Sequence, residues 1–247
     1  MSIKTTFNYS PNFTPVKRSK KKIKFLIFHY TGMKNEISAI KRLTSIQSEV
    51  GAHYFIKING EIITMVPDLY VAWHAGLSQW GKYKSLNYNS IGIEISNIGH
   101  KFGYKKFTTK QIRSIKKLSL FLIKKYKINK KFIMGHSDIA PERKKDPGEK
   151  FPWEFFAKNN VGIWHELNKS QLIKFRKKKL DIKKNINFIM NLKKIGYQSR
   201  KKIIKDKKKF QKYLVLAFQR RFRQELINGI IDQECLLISQ NLLKIKF

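Results

Sequence analysis

Ile23-Lys24-Phe25-Leu26-Ile27-Phe28-His29-Tyr30 is a run of β-branched and aromatic apolar residues that follows a basic cluster from Lys17 to Lys22. Its length and composition read as a buried strand, and that strand ends on a histidine. Just downstream, Asn35 can cap a helix whose apolar positions Ile37, Ile40, Leu43 and Ile46 recur at helical spacing, so a helix is expected to cover the sheet. His53 to Ile58, then Asn59-Gly60, then Glu61 to Val66 predicts a β-hairpin, with Asn-Gly expected to supply both positive-φ residues of a type I′ turn. Ser90-Ile91-Gly92-Ile93-Glu94-Ile95-Ser96 alternates strictly, with three isoleucines on one face and Ser90, Gly92, Glu94 and Ser96 on the other. Thr108 and Gln111 form a capping box ahead of Ile112, Ile115, Leu118 and Leu122, and Phe132 to Gly135 follows as a short strand that delivers His136. Strands alternating with helices predict an α/β fold, and the hairpin makes its sheet a mixed β-sheet flanked by helices.

After Trp164 the character changes. Lys169 to Lys184 is polar and lysine-rich, and beyond it only helical periodicity is readable: around Asn185 to Lys194 with Gly196 as the stop, around Phe210 to Phe222, and from an Asp232 cap to Leu243. The expected organisation is a catalytic domain over 1–168, a basic linker over 169–184 and a small three-helix module over 185–247. The module holds no convincing metal constellation, so any chemistry belongs to the first domain.

A formal charge of +37 over 247 residues invites a polyanion as partner. The lysines, however, are spread along the whole chain among Ile and Asn, and no nucleic-acid reader motif accompanies them, so no specific nucleic acid is expected. Cys235 is the one cysteine, which excludes an intrachain disulfide and a cysteine zinc knuckle. The N-terminus carries no apolar leader core or lipobox cysteine, and no apolar run approaches the ~20 residues needed to span a bilayer. The expectation is a soluble chain without a transmembrane segment; its oligomeric state is not encoded in any feature of the sequence.

His29 and His136 each close an apolar strand, and Asp146 follows ten residues later in the turn-rich loop Arg143-Lys144-Lys145-Asp146-Pro147-Gly148. Two neutral imidazoles and a carboxylate are a zinc-type ligand set that leaves one tetrahedral position open, although such a set also accepts other borderline divalent metals. Glu94, on the polar face of its strand, is costly to bury unless functional. Beside a water activated at such a centre it would serve as general base, and Lys144 would suit the oxyanion that develops as an amide carbonyl is attacked. Trp73-His74-Ala75-Gly76 supplies an aromatic and polar wall suited to carbohydrate or peptide. His53 opens a hairpin strand, while His100 and His165 have no supporting context.

At these residues the chain resembles a known family. His29-Tyr30-Thr31, Ala72-Trp73-His74-Ala75-Gly76, Asn89-Ser90-Ile91-Gly92-Ile93-Glu94 and Gly135-His136-Ser137-Asp138-Ile139-Ala140-Pro141, followed by the loop to Gly148 and by Phe151-Pro152-Trp153, resemble the zinc-dependent N-acetylmuramoyl-L-alanine amidases of the amidase-2 family, and within it the AmiD type. The likeness runs from about Ile23 to Trp164. The tail resembles a peptidoglycan-binding-like module through Gly196-Tyr197, Ala217-Phe218-Gln219 and Asn228-Gly229.

The resemblance implies the fold of peptidoglycan recognition proteins, one Zn2+ per chain held by His29, His136 and Asp146, and Glu94 as catalytic proton acceptor. Tyr30, Thr31 and Arg143, Lys144 and Lys145 would line the substrate site. The implied reaction is hydrolysis of the amide between N-acetylmuramic acid, ordinary or 1,6-anhydro, and L-alanine of the stem peptide, so the implied partner is peptidoglycan or a muropeptide. The family location is the bacterial cell envelope, whereas the missing leader and lipobox leave the cytoplasm open. A non-catalytic peptidoglycan-binding protein on the same fold is the competing reading; the presence of all three ligands and Glu94 favours the enzyme.

Overall fold

The central strand pair explains where everything else sits. In the structure, a computed structural model that describes residues 3–198 and 206–245, the chain runs through β1 (Thr6–Phe7), β2 (Phe13–Thr14), β3 (Phe25–Tyr30), α1 (Glu36–Thr44), β4 (Tyr54–Ile56), β5 (Ile62–Thr64) and β6 (Val71–Ala72). It continues through β7 (Gln79–Trp80), β8 (Tyr83–Lys84), β9 (Ser90–Ile95), α2 (Thr109–Tyr126), β10 (Ile133–Gly135), α3 (His136–Ile139) and α4 (Trp153–Lys158). The tail contributes α5 (Lys169–Ile173), α6 (Ile182–Ile195), α7 (Lys207–Phe222) and α8 (Gln233–Lys244). Six strands make one sheet in the order β1-β5-β4-β9-β3-β10. β3 pairs with β9 and β10 in parallel, whereas β4 and β5 are antiparallel, so the sheet is mixed as the hairpin predicts.

Alternation divides the sheet into two unlike faces. Leu26, Phe28, Ile91, Ile93 and Ile95 join Ile115, Leu118 and Leu122 of α2, together with Phe151, Trp153 and Phe156, in one buried cluster. On the opposite face, Ala39 and Leu43 of α1 pack on Phe55 and Ile63, while Phe25, Ile27 and Met134 pack against Phe188, Phe218 and Phe222 of the tail. The stretch of that second face between the two clusters carries Ser90, Gly92, Glu94 and His29, all buried. It is polar because the positions directed towards it are polar, and it cannot be closed by an apolar helix without stranding those groups.

The helix starts match their sequence signals. Asn35 Oδ1 accepts the Ser38 N–H at 2.8 Å, and Thr108 and Gln111 complete a reciprocal capping box. The hairpin turn differs from the type I′ expectation. The Gly60 N–H donates to the Lys57 carbonyl, the Lys57 N–H to the Glu61 carbonyl, and only Gly60 adopts positive φ, at 85°. A three-residue loop of Ile58, Asn59 and Gly60 needs a single left-handed residue, whereas a two-residue I′ turn needs two.

The tail packs on the sheet. The segment 169–184 contains α5 and the first turn of α6, and Arg176 within it bonds Glu234 of α8 at 2.7 Å through two nitrogens. α6 to α8 share one buried cluster with β3 and β10 rather than enclosing a core of their own. The reason is size: three helices of this length bury too little apolar surface alone, and Phe25, Ile27 and Met134 of the sheet supply more. No helix among the described residues is long and apolar enough to cross a membrane.

Candidate active site

Strand register brings the distant residues together. His29 lies opposite Glu94 across the β3–β9 pair, and Gly135 lies opposite Phe28 across β10–β3, so His136, the next residue of its chain, stands beside His29. The loop after α3 returns Asp146 to the same point through a Ser137 N–H to Asp146 carbonyl bond of 2.8 Å. His29 Nδ1 and His136 Nδ1 are 2.9 Å apart, and Asp146 Oδ2 is 3.1 and 3.0 Å from them. All three residues are buried.

This triangle suits a cation. Ligands ~2.0–2.1 Å from a tetrahedral zinc stand about 3.3 Å apart, close to the spacing here. The far ring nitrogens have their own acceptors: His136 Nε2 is 3.1 Å from the Ala75 carbonyl and His29 Nε2 is 3.0 Å from His74 Nδ1. Protons held there leave both Nδ1 lone pairs free for a metal, the arrangement in which outer partners fix the tautomer of a ligating histidine. Burial pushes the His136 imidazole down to about 4, with Asp146 partly opposing, so the ring is neutral as a ligand must be. Burial opposes charge on Asp146, yet the facing His136 and His29 outweigh it and hold the carboxyl well below the usual range. His29, His136 and Asp146 are thus a group able to bind a metal ion.

Behind His29 runs a hydrogen-bonded chain. His74 Nε2 reaches Ser90 Oγ at 3.0 Å, and the Ser90 hydroxyl donates to the Leu86 carbonyl at 2.6 Å. Burial first, then the neighbouring His29 and His53, holds His74 well below the ordinary histidine range, so it stays neutral. The His74 ring lies against Gly92, where a Cβ would come within 2.3 Å of it. Gly92 therefore reads as the residue that lets this chain lie flat on the sheet. His74 borders the cavity, but both its ring nitrogens are turned to protein groups, so it acts through His29. Sequence reasoning put it in the wall without seeing that link, which spans three separate segments.

Glu94 is buried and its Oε2 has no hydrogen-bond partner among the described residues. Burial is the main force raising its carboxyl to about 7; His29 and Lys144 oppose the rise and Asp146 adds to it. An unpaired buried carboxyl beside a ligand set is poised to exchange protons near neutral pH.

These groups open on a cavity of about 830 Å³. Tyr30, Thr31, Trp73, His74, Arg143, Lys144 and Lys145 all border it with Glu94, His136 and Asp146, and His29, buried, lies against His136 and Asp146. Arg143 spans to the Leu77 and Ala75 carbonyls and thereby ties the 143–146 loop to the opposite wall. Arg42, Glu49 and His100 also border the cavity and carried no readable signal. His100 Nδ1 is 2.8 Å from the Tyr30 hydroxyl and its Nε2 is 3.1 Å from Glu149, so it links the strand end to the loop after Asp146.

Comparison with known proteins agrees with this geometry. Residues 19–149 match the family model described as N-acetylmuramoyl-L-alanine amidase. The chain is 32% identical over 235 residues to N-acetylmuramoyl-L-alanine amidase AmiD of Escherichia coli, covering 90% of this chain and 83% of the relative. Among solved structures it resembles E. coli AmiD in complex with anhydro-N-acetylmuramic acid-L-Ala-D-gamma-Glu-L-Lys, at 31% identity and a TM-score of 0.78 over 94% of this chain and 91% of that one. It also resembles AMPDH3 from Pseudomonas aeruginosa in complex with anhydromuramic pentapeptide, at 28% identity and a TM-score of 0.75 over 92% of each chain. Extent and identity together decide membership: this chain belongs to the Amidase_2 family of N-acetylmuramoyl-L-alanine amidases.

Proposed function

We propose that the chain is a zinc hydrolase that cleaves the amide between the lactyl group of N-acetylmuramic acid, including its 1,6-anhydro form, and L-alanine of the stem peptide. The observation that carries this is the buried triangle of His29, His136 and Asp146 beside the unpartnered carboxyl of Glu94. The complexes of the two related proteins with anhydromuramyl peptides support the sugar and peptide class.

Zinc bound by His29 Nδ1, His136 Nδ1 and Asp146 Oδ2 would supply a Lewis acid and lower the pKa of water towards neutrality. Glu94, in its ionised form, takes a proton from the attacking water and returns it to the alanine nitrogen as the C–N bond breaks. Lys144 borders the cavity and offers a point charge to the carbonyl oxygen as it becomes an oxyanion, a donor of the kind worth ~3 kcal/mol when removed. Tyr30, Thr31 and Trp73 give the sugar and peptide a partly aromatic wall, and Arg42, Lys101 and Lys145 add positive charge around the same cavity, which suits the carboxylates of a stem peptide.

The test is product identity. Incubation of the purified chain with an anhydromuramyl tripeptide in zinc-replete buffer is expected to yield two species by mass spectrometry: the sugar with a free lactyl carboxyl, and the tripeptide with a free alanine amine. Intact substrate, or cleavage at the bond after L-alanine, would contradict the proposal.

A further inference from the structure

The turn that carries His136 is held by the tail. α3 spans only His136 to Ile139, and its Asp138 is 1% exposed. Asp138 Oδ2 accepts the Gly135 N–H at 2.8 Å, which closes the strand-to-helix corner immediately before the histidine. Every other partner that the structure gives this carboxylate comes from the tail: Tyr197, just past the end of α6, donates its hydroxyl to Oδ1 at 2.6 Å, and Arg221 of α7 donates from Nη1 to Oδ2 at 2.7 Å. Arg221 also grips the strand leading into the turn, through Nη2 to the Ile133 carbonyl at 2.9 Å, and its guanidinium lies 4.5 Å from the Trp153 ring centroid. Tyr197 and Arg221 are themselves buried.

We propose that the C-terminal helices are an integral part of the metal site: Arg221 and Tyr197, acting through Asp138, fix the turn that presents His136 to the ion. They are positioning residues, since neither touches the ligand atoms. The inference rests on the reading of His29, His136 and Asp146 as a zinc site. It assigns the tail a role in the site itself, and it follows from geometry: a buried carboxylate has several acceptor positions to fill, one backbone N–H at the strand end fills only one, and the tail supplies the other donors. Without them the corner relaxes, and a ligand nitrogen displaced by a fraction of an ångström binds metal less tightly.

Zinc dissociation constants, measured by competition with a chromogenic chelator on the full chain, test this with melting temperatures recorded alongside. Tyr197→Phe removes one hydroxyl and Asp138→Asn keeps shape while removing charge; Arg221→Gln is the severer third variant. Asp138→Asn and Arg221→Gln are expected to weaken zinc binding about tenfold or more, within the ~10–100-fold range for loss of outer partners, and Tyr197→Phe by less. Arg176→Gln, which breaks the tail's ion pair with Glu234 and leaves the hydrogen-bond partners of Asp138 in place, is the control and is expected to lower the melting temperature while leaving zinc affinity unchanged. Folded Tyr197→Phe and Asp138→Asn variants that bind zinc as the parent does, or an equal loss of affinity in Arg176→Gln, would overturn the inference alone. A parent chain that binds no zinc would overturn this inference and the zinc reading together.

Discussion

Glu94→Gln is expected to cut kcat by ~10²–10⁴, the usual worth of a positioned general base, while the protein still binds one zinc ion. Glutamine has nearly the same shape and cannot take the water's proton. The substitution also removes a buried carboxyl whose ionisation burial disfavours, so the folded chain should be at least as stable as the parent. Steady-state kinetics on an anhydromuramyl tripeptide, with metal content measured on the same sample, separates the outcomes. Loss of metal would make Glu94 a ligand, and activity within a few-fold of the parent would remove it from the chemistry. The pH profile carries the same residue's signature. With its carboxyl raised to about 7 by burial, Glu94 keeps its proton to higher pH than an ordinary glutamate and is a base only above that value. Activity should therefore fall as pH drops through an apparent pKa between the ordinary glutamate value and about 7, because the nearby dication favours the ionised form. Residual activity of Glu94→Gln should lack that limb.

Asp146→Ala is expected to weaken zinc binding by more than ~100-fold, beyond what loss of an outer partner costs, and to abolish turnover at one equivalent of metal. Asp146 supplies the anionic charge of the ligand set and sits within 3.1 Å of both imidazoles, so its removal leaves two neutral nitrogens to hold a dication. Its buried carboxylate also fills the space between the rings, and alanine would leave that space without a partner for either. Equilibrium competition with a chelator measures the loss. Unchanged affinity would mean that the metal is held elsewhere.

Much of the site was legible because it lay in local pattern. The apolar run ending in His29 and the alternation around Glu94 each assign a residue to a definite point of its own strand, and β3–β9 register pairs the two directly. The capping signals at Asn35, Thr108 and Asp232 gave the helix starts for the same reason, since capping depends on neighbours three residues away. What stayed hidden depends on contacts distant in the chain. The link from His74 to His29, the place of His100 between Tyr30 and Glu149, and that of Arg42 on the cavity wall follow from no diagnostic spacing. The packing of the tail is hidden for a related reason: its helical periodicity says which residues are buried but not against what, and their partners are Phe25, Ile27 and Met134 of the sheet. Even the Asn-Gly turn depended on loop length, which the pattern fixes only to within a residue.

The most direct measurement of the central claim is a zinc titration of the metal-free chain while release of stem peptide from an anhydromuramyl tripeptide is followed. Activity should rise from near zero, climb in proportion to added zinc and level off at one equivalent per chain, with no such rise for Asp146→Ala at the same concentrations. Full activity in the metal-free chain, or a titration that Asp146→Ala reproduces, would contradict a catalytic zinc held by His29, His136 and Asp146.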